Sequence, residues 1–84
     1  MKKTIINHVT SLLFTRKDLI KLISDNLKKL RTKHNYSQCD IAEFLKVSRQ
    51  TVSRWENSKN IPDGNNLIEI CKLYNISIED IYKK

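Results

Sequence analysis

Hydrophobic residues recur at helical spacing along most of the chain, and each run begins beside a residue suited to capping a helix. The side-chain oxygens that precede such runs belong to Thr15, Ser37, Ser48, Asp63 and Ser77. An aspartate follows the first, second and fifth of these residues three positions later, which is the spacing of a capping box. The repetition of one pattern at five places predicts five helices and no sheet.

The apolar stripes give the approximate extent of these helices. The longer ones are predicted at about residues 16–33, 49–57 and 64–74. Helix two begins after Ser37 and lasts about two turns, and a short fifth helix is anchored by Ile78 and Ile81. Asn35 suits a left-handed stop after helix one. Because the joints are short, neighbouring helices must pack closely, and the predicted fold class is an all-α five-helix bundle.

The first fourteen residues are harder to interpret. Their apolar side chains are interrupted by polar ones, and a helix, a short strand or a disordered arm all fit this pattern. We therefore expect an N-terminal extension at residues 1–14 and a domain at residues 15–84. The pattern does not predict a signal peptide or a membrane span of ~20 residues, so the expected location is the cytoplasm.

Composition narrows the range of functions. The 84 residues carry a net charge of +7, with a pI of about 9.6, which suits nucleic acid or an anionic membrane surface. Cys39 and Cys71 form no CxxC motif and are predicted to be reduced thiols. The two histidines, His8 and His34, lack a nucleophile–base or metal-ligand arrangement. We therefore predict no enzyme activity, no cofactor and no metal site.

Two short helices joined by about three residues form the helix-turn-helix arrangement. At roughly 100° per residue, Val52 and Trp55 share the inner side of helix three. The outer side presents Arg49, Gln50, Ser53, Arg54 and Asn57. These side-chain types pair with base edges, Arg with guanine and Gln with adenine. The alternative is an ordinary solvated face, on which Glu and Lys would be commoner.

The chain resembles the lambda-repressor-like, Cro/C1-type (XRE-type) helix-turn-helix domain over about residues 20–82. The resemblance rests on "SQ" at the start of helix two, Ala42, "VSRQTVSRWEN" through helix three, "IP" before helix four and "LYNIS" before helix five. It implies a five-helix fold and sequence-specific binding of double-stranded DNA, usually as a homodimer on a palindromic operator. It also implies transcriptional regulation in a bacterial or phage setting, here as a repressor.

The resemblance also implies roles for individual residues. Base contacts are expected from Arg49, Gln50, Ser53 and Arg54. DNA backbone contacts are expected from Gln38, Lys46, Ser48, Thr51, Asn57 and Lys59. Trp55 matches a core position of the family. Lys46 and Ser58 depart from the family pattern because many members have Gly there, and a left-handed backbone at each would cost about 1 kcal/mol.

A second function stays open beside the regulator. Antitoxins use this same domain to repress their own operon while they hold a toxin. Residues 1–14 are a candidate segment for such a protein partner, although packing on helix one or pairing with a second protomer is the simpler use of the same segment. The alternative is thus an antitoxin-like interaction module that also regulates its own operon.

Overall fold

The computed structural model describes residues 14–84, which form five α-helices joined by short loops. The helices are α1 (Arg16–Lys33), α2 (Gln38–Leu45), α3 (Arg49–Glu56), α4 (Gly64–Tyr74) and α5 (Ile78–Ile81). Every regular element in this part of the chain is helical, which confirms the predicted fold class. None of these helices is both long and apolar enough to cross a membrane. The expectations for the N-terminal extension fall on residues 1–13, outside the described residues, and on Phe14.

Local capping explains where the first two helices begin. The Thr15 hydroxyl accepts from the Asp18 N–H at 3.1 Å, and the Thr15 N–H donates to Asp18 Oδ2 at 2.9 Å. Ser37 and Asp40 repeat this exchange at 3.0 and 2.8 Å. The bonds from Thr15 lower the pKa of Asp18, so this contribution to stability is present above the ordinary pKa of the carboxyl and is lost as the pH falls.

The later helices begin as predicted, with two variations. Asp63 Oδ1 accepts from the Asn66 N–H at 2.9 Å, and α4 begins at Gly64 although a helix former is usual there. At α5 the Ser77 hydroxyl donates to Asp80 Oδ2 at 3.2 Å and the Ser77 N–H donates to the same oxygen at 3.0 Å. The carboxylate therefore holds the start of this single turn.

One hydrophobic core joins all five helices. Its buried members are Ile23, Leu27, Ile41, Ala42, Leu45, Val52, Trp55, Leu67, Ile70, Tyr74 and Ile81. Trp55 is 4% exposed, in agreement with its predicted core position. The prediction that Ile78 anchors the fifth helix is wrong, because the residue is 43% exposed. A single turn directs only Ile81 inward, and Ile78 lies beside Ile68 along a groove on the outer side of α4.

Four residues other than glycine adopt a left-handed backbone in residues 14–84. Their φ angles are 62° at Asn35, 59° at Lys46, 60° at Ser58 and 53° at Asn75. Asparagine tolerates this region because its short polar side chain bonds locally, as predicted for Asn35. Lys46 and Ser58 do have the strained backbone that the family's glycines imply.

Ser58→Gly is expected to raise the free energy of unfolding by about 0.5–1 kcal/mol, because glycine removes the left-handed penalty at φ 60°. Asn75→Gly, at a similar angle, is the matched control and should gain less. Urea denaturation followed by tryptophan fluorescence measures both. Equal gains at the two sites would show that residue type at this angle does not matter here.

Candidate nucleic-acid interface

The turn between α2 and α3 fixes how α3 is presented. α2 ends with Lys46 in the left-handed conformation, and the Val47 N–H closes the turn by donating to the Ala42 carbonyl at 2.9 Å. Ser48 then caps α3, its hydroxyl accepting from the Thr51 N–H at 3.1 Å. α2 and α3 pack directly against each other. Three residues therefore separate the end of α2 from the start of α3.

The outer side of α3 is open to solvent. Val52 and Trp55 are buried on its inner side at 2% and 4% exposure, whereas Arg49, Gln50 and Arg54 are exposed opposite them. Among residues 14–84, neither the Gln50 nor the Arg54 side chain makes a hydrogen bond to protein. Their polar groups are therefore available to a ligand.

Four of the predicted DNA-contacting residues are bonded to each other in pairs. The Ser48 and Thr51 hydroxyl oxygens lie 2.8 Å apart. Asn57 Nδ2 donates to Ser53 Oγ at 3.1 Å and to the Ser53 carbonyl at 2.9 Å. Ser53 is half-buried, but its hydroxyl proton is not used in the bond from Asn57. Ser53 can thus still donate to an acceptor in front of the helix.

Cations flank α3, and no exposed carboxylate lies between them. Lys46 precedes the helix and Lys59 follows it, and both are exposed. The Lys59 N–H donates to the Arg54 carbonyl at 3.0 Å, which holds the chain close to the helix end. Glu56 is the only acidic residue in the segment 44–59, and its side chain is 4% exposed. The face is therefore uniformly basic and polar.

Glu56 is neutralised from inside the domain. Arg31 Nε and Nη2 donate to the two carboxylate oxygens of Glu56 at 2.6 and 3.0 Å, and Arg31 Nη1 donates to the Tyr36 carbonyl at 2.9 Å. The hydrogen bonds to Glu56 raise the pKa of Arg31. Burial raises the pKa of the neighbouring Tyr74 to about 12, so its phenol stays protonated.

The sequence pattern does not predict this ion pair. A signal was nevertheless present, because Arg31 continues the four-residue spacing of Ile23 and Leu27. A charge on a buried stripe requires a buried partner. Nothing local identifies that partner as Glu56, which lies 25 residues away in the chain.

The predicted phosphate ligand Gln38 is already engaged. Gln38 Nε2 donates to Glu56 Oε1 at 3.1 Å, and Gln38 Oε1 accepts from Arg49 Nη1 at 3.2 Å. Gln38 is half-buried at the first position of α2. One of its two amide N–H bonds is unused by these contacts, so the residue retains a donor for a phosphate.

The two cysteines and His34 lie outside α3. Cys39 and Cys71 are free thiols, and burial raises the pKa of Cys71. His34 is the C-cap of α1, where its Nδ1 lies 2.9 Å from the Leu30 carbonyl, and its ring centroid lies 4.8 Å from that of Tyr74.

Comparison with known proteins places this geometry in a class. The family HTH_3, described as Helix-turn-helix, matches residues 27–81. The chain belongs to this family, whose members are DNA-binding transcriptional regulators of the Cro/C1 type and not enzymes. The family membership therefore confirms two predictions from the sequence, the Cro/C1-type helix-turn-helix family and a protein that is not an enzyme.

Individual relatives agree with the family. The chain is 38% identical over 60 residues to the uncharacterized HTH-type transcriptional regulator MJ0272 of Methanocaldococcus jannaschii, covering 71% of this chain and 91% of the relative. It is 36% identical over 58 residues to the HTH-type transcriptional activator BcrR of Enterococcus faecalis, covering 69% of this chain and 28% of BcrR. It is 33% identical over 60 residues to the antitoxin PezA of Streptococcus pneumoniae, covering 71% of this chain and 38% of PezA. The match thus spans well under half of BcrR and of PezA.

A solved structure has the same fold. The restriction-modification controller protein C.AhdI from Aeromonas hydrophila superposes with a TM-score of 0.68 at 19% identity, covering 75% of this chain and 96% of that chain.

Proposed function

We propose that this protein binds double-stranded DNA sequence-specifically as a homodimer on a palindromic operator and represses transcription there. The observation that supports the proposal is the outer face of α3, where Arg49, Gln50 and Arg54 are exposed and no carboxylate is exposed. Such a face fits the major groove, which admits a helix and presents distinct donor and acceptor patterns.

Four side chains are proposed to read bases. Arg49 and Arg54 have the donor geometry for guanine O6 and N7, and Gln50 has the paired donor and acceptor that adenine requires. Ser53 lies between them and adapts to either kind of base edge. Arg49 is at the N-terminal end of α3, the part of a recognition helix that meets the base edges in this motif.

The remaining side chains are proposed to hold the DNA backbone. Lys46 and Lys59 lie on either side of α3, and each is proposed to contact a phosphate that borders the major groove. Ser48, Thr51 and Gln38 lie at the N-terminal ends of α3 and α2, where helix dipoles favour anions. Asn57 lies at the opposite end of α3. These contacts supply affinity without sequence information.

The dimer is proposed to form through α4 and α5. Ile68 is 54% exposed and Ile78 is 43% exposed, and they line one surface groove with Cys71 and Ile76. A second copy would cover this apolar surface. Residues 1–14 remain a proposed contact with the second protomer or with another protein. Two protomers would present their α3 helices to major grooves about 34 Å apart.

Repression is the simplest consequence of such binding. A protein seated on an operator that overlaps a promoter blocks polymerase by occupancy alone, whereas activation requires an additional productive contact. We place the protein in the cytoplasm, where a DNA-binding regulator of this family meets its operator.

Selection of bound sequences from a random double-stranded pool at about 150 mM salt tests the proposal. Enrichment of a palindrome with half-sites about one turn apart is the expected result. A pool that stays random, with salt-sensitive binding only, would contradict operator reading. That result would favour the antitoxin-like alternative, to which the similarity to PezA gives some support.

Arg49→Ala is expected to weaken binding to the selected operator by about 1–3 kcal/mol and to relax one base position. Lys59→Ala should weaken binding to all sequences alike and reduce the salt dependence, because it removes only a phosphate contact. Fluorescence anisotropy on operator and random duplexes measures both variants. Equal losses on the two duplexes for Arg49→Ala would exclude a base-reading role.

A further inference from the structure

The exposed Arg49 is connected to the interior of the domain by consecutive hydrogen bonds. Arg49 Nη1 donates to Gln38 Oε1 at 3.2 Å, and Gln38 Nε2 donates to Glu56 Oε1 at 3.1 Å. Arg31 then holds both oxygens of Glu56. The path leads from a solvent-facing guanidinium to a carboxylate that is 4% exposed.

The chemistry of the two neighbours allows only one orientation of the Gln38 amide. A carboxylate only accepts hydrogen bonds, and a guanidinium only donates them. The amide nitrogen must therefore face Glu56, and the amide oxygen must face Arg49. The reversed amide would oppose oxygen to oxygen on one side and donor to donor on the other, so both bonds would be lost.

We propose that Glu56 is a positioning residue for DNA recognition, because it fixes Gln38 and thereby orients Arg49 before DNA arrives. This inference rests on the proposed base contact of Arg49. An exposed arginine has many rotamers, and ordering it on binding reduces affinity. One Arg49 N–H is held by Gln38, and the remaining N–H groups stay free for the two acceptors of a guanine.

Glu56, at the interior end of this path, is itself held in place, so it can fix the orientation of the Gln38 amide. Glu56 is held by two bonds from Arg31, which is itself anchored to the Tyr36 carbonyl. The oxygen that receives Gln38 therefore has a fixed place relative to α2 and α3. Arg54 is also exposed on α3, but in residues 14–84 its side chain has no such connection, so it serves as an internal comparison.

Glu56→Gln tests the proposal. The amide oxygen of the new side chain is expected at the Oε2 position, where it keeps the 2.6 Å bond from Arg31 Nε. The NH2 group then replaces Oε1, the atom that accepts from Gln38, and reverses the Gln38 amide. Discrimination at the base pair read by Arg49, identified with Arg49→Ala, should fall about 3- to 10-fold, the equivalent of one ordered side chain. Gln38→Met, which removes both bonds at similar length, should give the same loss. Discrimination at the other base pairs should not change.

A double variant separates positioning from a merely structural effect. Gln38→Glu combined with Glu56→Gln exchanges the donor and the acceptor between the two positions. The amide at position 56 donates to one oxygen of the carboxylate at position 38, and the other oxygen again accepts from Arg49. Discrimination at that base pair should recover, although affinity for all DNA falls because a carboxylate now lies near phosphate. If Glu56→Gln acted only by destabilising the domain, the second substitution would not restore discrimination at this one base pair. All variants are compared at a temperature where circular dichroism shows them folded.

The free protein supplies an independent measurement. Side-chain ¹⁵N relaxation of the Arg49 Nε–H should report greater mobility in Glu56→Gln and in Gln38→Met, with Arg54 unchanged. Unchanged Arg49 mobility together with unchanged base discrimination in both variants would overturn the inference. If Arg49→Ala itself costs no discrimination at any base pair, the base contact is absent, and the proposed role of Arg49 fails together with the inference.

Discussion

Arg31→Met is expected to lower the free energy of unfolding by about 3–5 kcal/mol, because it leaves Glu56 as a buried carboxylate without its cation. The Glu56 side chain is 4% exposed and that of Arg31 is 14% exposed, so solvent cannot replace the lost partner. Urea denaturation followed by the fluorescence of Trp55, the only tryptophan, measures the change. A small domain has a modest total stability, so this single variant should unfold at much lower urea.

Two companion variants show whether burial is the cause. Lys21 and Asp25 form an ion pair at 3.3 Å with side chains 71% and 49% exposed, so Lys21→Met should change stability by less than about 0.5 kcal/mol. Arg31→Met combined with Glu56→Leu removes both charges and should recover much of the loss. A loss below about 1 kcal/mol for Arg31→Met alone would mean that Glu56 reaches water.

The helix starts were predictable because capping is local. A hydroxyl and a carboxylate three residues apart contain all the information that a helix start needs, as the bonds between Thr15 and Asp18 and between Ser37 and Asp40 show. The inner and outer sides of α3 were predictable for the same reason, since one helical period separates Val52 and Trp55 from the polar residues opposite them.

The connections between helices were not predictable in this way. Arg31 and Glu56 meet only because α1 packs on α3, and Gln38 joins them only because α2 packs on α3. The exposure of Ile78 likewise depends on which side of a single turn faces α1. Such contacts depend on the relative placement of helices, which a periodic pattern in one helix does not specify.

The same contacts link stability to the proposed function. Glu56 belongs to the core through Arg31 and to the outer face through Gln38 and Arg49. Changes at the interior end of this path are therefore expected to alter base reading as well as stability. Changes at its outer end, such as Arg49→Ala, should leave stability nearly unchanged.

Trp55→Ala is expected to cost about 3–5 kcal/mol of stability, because a buried indole at 4% exposure is replaced by a cavity between α3 and the rest of the core. Circular dichroism replaces fluorescence as the probe, since the variant has no tryptophan. Trp55→Phe should cost less, because most of the apolar volume is kept.

Trp55→Phe also decides between two roles for an aromatic residue on a DNA-reading helix. A tryptophan that stacks on bases loses binding when its ring is reduced, by about 1–3 kcal/mol for full removal. Replacing a core tryptophan by phenylalanine does not weaken DNA binding, provided that the variant is folded. We expect Trp55→Phe to bind the selected operator within about 2-fold of the parent protein, well inside the tenfold change that corresponds to 1.4 kcal/mol. We also expect the fluorescence of Trp55 in the parent protein to be little changed by DNA. A tenfold loss of affinity in a folded Trp55→Phe variant would place the indole against the DNA instead of in the core.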